Sequence, residues 1–204
     1  MTYDITPYNR DGEGTITATA STTTECSYAR GFRNVAVGAT ITSGTSYADS
    51  RTVTSKTDEN TIIVNSAWTE AAQPWRYQNP ALTLTGIKYI KHTKNDKPLT
   101  QMGIPTKDAD YTVCVLGTGT VREIILNGWI QSTTIEDVYK NTTILESLAD
   151  GSQTIKGTCT FLEEVPPRTS YVYITSVSWQ YSAERPKWLD VMINMTECRN
   201  MGSV

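Results

Sequence analysis

The sequence predicts a mainly β protein, a β-sandwich or open barrel with one flanking α-helix at about 133–149. Three observations predict it. Through most of the second half, apolar side chains recur at every second position, the spacing of a strand with one buried face. Thr, Val and Ile are frequent in these runs; β-branched side chains suit a pleated surface and lose rotamer freedom in a helix. One stretch, "TTIEDVYKNTTILESLADG" (133–151), breaks that period and follows helical spacing.

Composition divides the chain near residue 78. Residues 1–78 are rich in Thr and Ser, as in "TITATASTTT" (15–24), "NVAVGATITSGTS" (34–46) and "TIIVNSAW" (61–68). Large aliphatic residues are few there, so short strands are expected that complete a larger sheet or contact neighbours. "AAQPWRYQNPAL" (71–82), with its prolines, reads as a connector. Residues 79–204 are expected to form the main β domain.

Within that domain, "LTLTGIKYIK" (82–91) reads as a strand and "HTKNDKPLTQMGIPTKDAD" (92–110) as a long polar loop. "YTVCVLGTGTVREIILNGWIQ" (111–131) supplies two strands about the turn Gly117-Thr118-Gly119. Thr133 and Glu136 fit a capping box, Asp137 suits the positive end of the helix dipole, and Gly151 can end the helix. The predicted apolar stripe is Ile135, Val138, Tyr139, Thr142, Leu145, Leu148 and Ala149. In "TIKGTCTFL" (154–162), Lys156, Thr158 and Thr160 face away from Ile155, Cys159 and Phe161. A closing hairpin is expected to place Tyr171, Tyr173, Val177 and Trp179 on one face of its first strand. Its second strand sets Leu189, Val191, Ile193 and Met195 opposite Asp190, Asn194 and Thr196.

Chemistry is sparse. With 18 basic and 21 acidic residues, the chain lacks a footprint for clamping a nucleic-acid backbone. No apolar run is long enough to span a bilayer, and the polar start "MTYDITPYNRDGEG" does not resemble a secretory signal, so folding in a cytoplasm is expected. The four cysteines, Cys26, Cys114, Cys159 and Cys198, are scattered; they read as small buried hydrophobes, with a Cys114–Cys159 bridge as the alternative. His92, the single histidine, lies among charges and reads as a surface residue. Glu163 and Glu164 read as solvated acids beside a proline loop. No nucleophile elbow, phosphate loop or zinc-protease motif occurs, so neither an enzyme nor a cofactor is expected. Five tryptophans and eleven tyrosines leave a carbohydrate- or receptor-binding module as the alternative function, with Trp68 or Trp75 in an exposed platform.

From Ile124 onward the order of elements resembles the tail-tube fold of tailed viruses and contractile injection systems. The resemblance rests on "EIILNGWI", "TTILESLADG", "TIKGTCTFL", "YVYITSVSW" and "PKWLDVMINMTE", about eighty residues. It implies a structural subunit of the tail tube, baseplate tube initiator or distal tail protein, assembled in the host cytoplasm and carried in the virion tail. Partners would be copies of itself in rings, commonly of six, other tail or baseplate proteins, and DNA or effectors in passage. On that resemblance Tyr171, Tyr173, Val177, Trp179, Leu189, Val191 and Ile193 are candidate subunit-interface residues. Lys94, Asp96, Lys97, Met102 and Ile104 belong to a candidate inter-ring loop. Lys156, Thr158, Thr160, Asp190 and Asn194 are candidates to line the lumen.

Overall fold

A computed structural model describes residues 3–17, 21–44, 46–69, 73–96, 100–103, 112–115, 120–149, 159–164, 167–181 and 183–198. They are mainly β: two seven-stranded antiparallel sheets, one further strand pair and, among the described residues, a single helix.

The larger sheet begins with β1 (Tyr3–Thr6) and resumes with β9 (Leu82–Leu84) and β10 (Gly86–Asp96). Its other members are β13 (Thr120–Gln131), β14 (Cys159–Glu164), β15 (Pro167–Tyr181) and β16 (Trp188–Cys198). The strand order is β10-β13-β16-β15-β14-β1-β9. The first and last members are separated only by Thr85, so one chain segment forms both borders. Thr85 N donates to Trp129 O at 3.0 Å, and its hydroxyl accepts from Gln131 N at 2.7 Å. The sheet therefore wraps into a barrel. Ile5, Leu82, Leu84, Ile124, Leu126, Phe161, Val172 and Ile193 fill it.

The helix α1 (Ile135–Ala149) packs on β15 and inserts Val138, Ile144, Leu145 and Leu148 into the same core. Its cap lies one residue later than the sequence suggests. Thr134 Oγ1 accepts from Asp137 N at 3.1 Å, and Asp137 Oδ2 accepts from Thr134 N at 3.2 Å. Thr133 instead donates its hydroxyl to Asp137 Oδ2 at 2.5 Å, and these bonds hold the Asp137 carboxyl below its usual range. Two members of the expected stripe, Ile135 and Tyr139, are exposed, while Ile144 takes a core position.

Between β1 and β9 the chain leaves this barrel and builds a smaller one. Its strands are β2 (Arg10–Asp11), β3 (Ile16–Thr17), β4 (Thr23–Cys26), β5 (Thr40–Ser43), β6 (Asp49–Lys56), β7 (Thr61–Val64) and β8 (Trp75–Gln78). The order is β2-β8-β5-β6-β7-β4-β3, and Ile16 at the far border bridges back to Gln73, just before β8. Closure encloses a separate core of Phe32, Ile41, Val53, Ile62, Val64, Trp68, Trp75 and Tyr77. Residues 10–78 thus have an interior of their own, and β1 is the part of the first 78 residues that completes the main sheet. The sparse aliphatics are offset by large aromatics: Phe32 meets Trp75 edge-on with centroids 5.0 Å apart, and Tyr77 follows at 5.6 Å. The expected connector around Trp75 is strand β8.

A loop of the small barrel meets the helix of the large one at Asn79. Its side-chain oxygen accepts from Ala36 N at 2.9 Å; its amide nitrogen donates to Asn34 O at 2.8 Å and Ser147 Oγ at 3.0 Å. Cys26 and Cys159 are buried, as expected of small hydrophobes, and the side chain of Cys114 lies outside the described residues.

Candidate functional site

Two β-bulges decide which side chains the large barrel presents. In β15, Ile174 opposes Met195 and Ser176 opposes Asn194, leaving Thr175 as an extra residue. Its hydroxyl donates to Asn194 O at 3.0 Å. The extra residue shifts the alternation by one. Val172 and Ile174 point into the core before it, and Val177 and Trp179 pack on the core after it. Tyr171 and Tyr173 therefore face outward and do not share a face with Val177 and Trp179. In β16, Leu189, Val191 and Ile193 are buried in the subunit's own interior. Leu189, Val191 and Ile193 are thus core and offer no surface to a second copy, contrary to the interface expected of them, while Val177 and Trp179 are half-buried against that core.

The outer face carries Tyr171 and Tyr173 on β15, Asp190 and Asn194 on β16, and Thr160 and Leu162 on β14. Tyr171, Tyr173 and Leu162 are its exposed large apolar side chains. Of the expected lumen positions, Thr160 stands opposite Tyr171 and Asn194 is two residues from Thr196, the partner of Tyr173, whereas Asp190 stands opposite Gln180 toward the other end of the ladder. Asp190 accepts from Lys88 Nζ at 3.0 Å, a bond that holds its carboxyl below the usual range. Asn194 Nδ2 donates to Ser176 Oγ at 2.7 Å. Lys156 and Thr158 lie outside the described residues.

Within the expected polar loop, 92–96 and 100–103 are strand, and the other positions lie outside the described residues. β10 continues through Lys94 to Asp96, pairing with β13 in a register that ends Asp96 opposite Thr120. Beyond it, β11 (Thr100–Gly103) pairs with β12 (Thr112–Val115), setting Met102 opposite Val113. The β11–β12 ladder thus lies in sequence between the two strands of the β10–β13 ladder. Lys97 and Ile104 lie outside the described residues. From Tyr89 to Asp96, β10 has β13 as its only paired strand among the described residues; from Tyr173 to Tyr181, β15 likewise has only β16. Among the described residues these two stretches each have one paired neighbour.

A polar cluster that the sequence reading missed occupies one mouth of the large barrel. Arg122 on β13 is buried, and its Nη2 donates to Glu163 Oε2 on β14 at 2.9 Å. Its Nη1 lies 3.6 Å from Glu197 Oε2 on β16. Arg168 Nη2 on β15 donates to Glu197 Oε1 at 2.6 Å, and Ser170 joins the same oxygen at 3.3 Å. Partial burial opposes charge on Glu197, but the Arg168 bond and the charges of Arg168 and Arg122 hold its carboxyl below the usual range. His92 on β10 closes the cluster. Its Nδ1 accepts from Arg122 Nη2 at 2.8 Å and Nε at 3.2 Å, while Nε2 lies 3.2 Å from Glu163 Oε1 and, further off, 3.4 Å from Arg122 Nη2. The bonds assign the neutral tautomer with hydrogen on Nε2. Desolvation, followed by the Arg122 charge, lowers the His92 pKa. Glu163 is thus a buried member of an ion network, correcting its reading as a solvated acid. The spacing Arg122–Ile124–Leu126 and Glu163–Phe161–Cys159, each in phase with core residues, was the available signal.

A recess of about 280 Å³ is lined by Lys88, Trp129, Glu184, Arg185, Trp188 and Asp190. Trp129 stacks on Trp188 at 6.0 Å, and the Arg185 guanidinium lies 4.8 Å over the latter ring. On the other side, a Cβ at Gly86 would lie 2.2 Å from the Trp129 ring, so the indole rests on bare backbone. Both rings are engaged by protein. Trp68 and Trp75, suggested as an exposed platform, are both buried. Among the described residues no group of three or more His, Cys, Asp or Glu side chains is placed to hold a metal, and no helix is long and apolar enough to cross a membrane. No family model and no characterised protein matches the chain.

Proposed function

We propose that the protein is a non-enzymatic structural subunit of a virus tail or tail-like injection machine. In this reading it forms rings of the tail tube or of its baseplate-proximal end, and the rings enclose a conduit for DNA or effectors. The observation that carries the reading is the large barrel: one flanking helix and two strand stretches, 89–96 and 173–181, that among the described residues have one paired neighbour each. Unpaired strand borders favour addition of another strand, and a closed ring of copies removes them. The exposed strip of Tyr171, Tyr173 and Leu162 supplies apolar contact beside such a border. Asp190, Asn194 and Thr160 give the neighbouring surface a polar character suited to a wet lumen. A net charge of −3 is compatible with passing DNA without retaining it.

Negative-stain electron microscopy with sedimentation analysis of the purified chain tests this. Rings or tubes are expected as concentration rises, and Tyr171→Asp combined with Tyr173→Asp is expected to leave folded monomers. A wild-type chain that stays monomeric at high concentration, with and without other tail proteins, would remove the proposal. Glycan binding by such a monomer would favour the carbohydrate- or receptor-binding alternative.

A further inference from the structure

We infer that His92 is an acid-operated latch at the mouth of the large barrel, holding the base of the β10–β13 hairpin against β14 when neutral and releasing it when protonated. The inference stands apart from assembly and does not require it. Its basis is topological. β10 and β14 are not neighbours in the sheet, and beyond Ile87 the described strands give β10 backbone pairing on the β13 side only. His92 Nε2 reaching Glu163 Oε1 at 3.2 Å spans that gap with a side chain.

The charges surrounding the ring come from four other strands: Arg122 on β13, Glu163 on β14, Arg168 on β15 and Glu197 on β16. Lys91 and Lys94 flank it on β10. With His92 neutral, the four partners comprise two cations and two anions. Nε2 already carries a hydrogen, so an added proton must take Nδ1. That atom accepts the two shorter of the three Arg122 contacts, and a hydrogen there would face the donors of a buried guanidinium. Protonation removes two hydrogen bonds and adds a charge that Glu163 and Glu197 attract, but desolvation and the Arg122 charge outweigh that attraction, and Glu163 keeps Arg122 as its partner at 2.9 Å. The imidazole relieves both conflicts by turning into water, to which it is already partly open.

The direction of the pH effect follows from linkage. Burial and Arg122 depress the pKa in the closed form, so the open form binds the proton more tightly. The latch contributes fully above the free imidazole value of about 6.5 and loses its contribution as pH falls toward the closed-state value. Across that window, opening is favoured up to about tenfold per pH unit.

Because His92 is the single histidine, its imidazole C–H resonance reports the titration of the intact chain directly. The experiment pairs that titration with amide hydrogen exchange, corrected for intrinsic rates. A His92 midpoint below the free value is expected. Protection of Thr93 and Glu123 should fall up to about tenfold per pH unit in step with it, while Ile41 and Ile62 in the small barrel stay unchanged. His92→Gln, which cannot take the proton, should lack the acid loss. A midpoint at or above the free value, unchanged protection of Thr93 and Glu123, or equal acid loss in His92→Gln would overturn the inference. Should that variant fail to fold, the wild-type titration and exchange still decide.

Discussion

Glu163 shows how one residue's role depends on which side of a strand it occupies. Beside Pro166 and Pro167 it looks like an exposed acid, yet it is in phase with Phe161 and Cys159 and points inward. Replacing it with Gln leaves the buried Arg122 guanidinium without its closest countercharge. Loss of one partner from such a pair costs about 3–5 kcal/mol, so urea unfolding at neutral pH should show a drop of that order. The exposed Arg30–Glu59 pair is the contrast, and Arg30→Ala should leave the urea midpoint unchanged. Lys56 is a third case. Its Nζ donates to the carbonyls of Phe32, Arg33 and Val35 at 2.8, 3.0 and 3.4 Å, and burial lowers its pKa. Lys56→Met keeps the apolar stem but strands those carbonyls, for an expected loss of about 1–3 kcal/mol in the same measurement.

At the scale of the element, periodicity located most strands of the second half and the helix, because a buried face imposes its spacing on the sequence. It failed where a strand carries an extra residue. In β15 the core residues are Val172, Ile174, Val177 and Trp179, and the interval of three between Ile174 and Val177 marks Thr175. Strict alternation through Tyr171 and Tyr173 instead assigns the tyrosines to the wrong side. The polar stretch after His92 was also misread. Its run of Lys, Asn and Asp residues has no apolar alternation to mark a strand, yet the ladder to β13 extends through it as far as Asp96. The helix start was legible in type but off by one, since Thr133 and Thr134 both precede an acidic residue at capping distance. Thr134→Ala should cost about 0.5–2 kcal/mol, the usual loss for an N-cap, and Thr133→Ala less, as read from thermal unfolding.

For the whole molecule, the sequence distinguished two compositions but not two interiors. A core built on Phe32, Trp68, Trp75 and Tyr77 needs few aliphatic residues, and counting aliphatics therefore underestimates it. Trp75→Ala should destabilise the small barrel by about 3–5 kcal/mol, detected as early loss of exchange protection at Ile41 and Ile62. The path of the chain also orders events in time. β1 and β9 are adjacent in the large barrel, Ile5 opposite Leu82, yet the entire small barrel is threaded between them. Once the small barrel has formed, Arg10 pairs with Tyr77 and Gln78 bonds Pro7, and the two distant segments are already side by side. By the logarithmic dependence on loop length, this prior closure spares about 2 kcal/mol of chain entropy. The insert thus acts as a splint for its host, and refolding of Trp75→Ala in stopped flow should be slowed for both barrels.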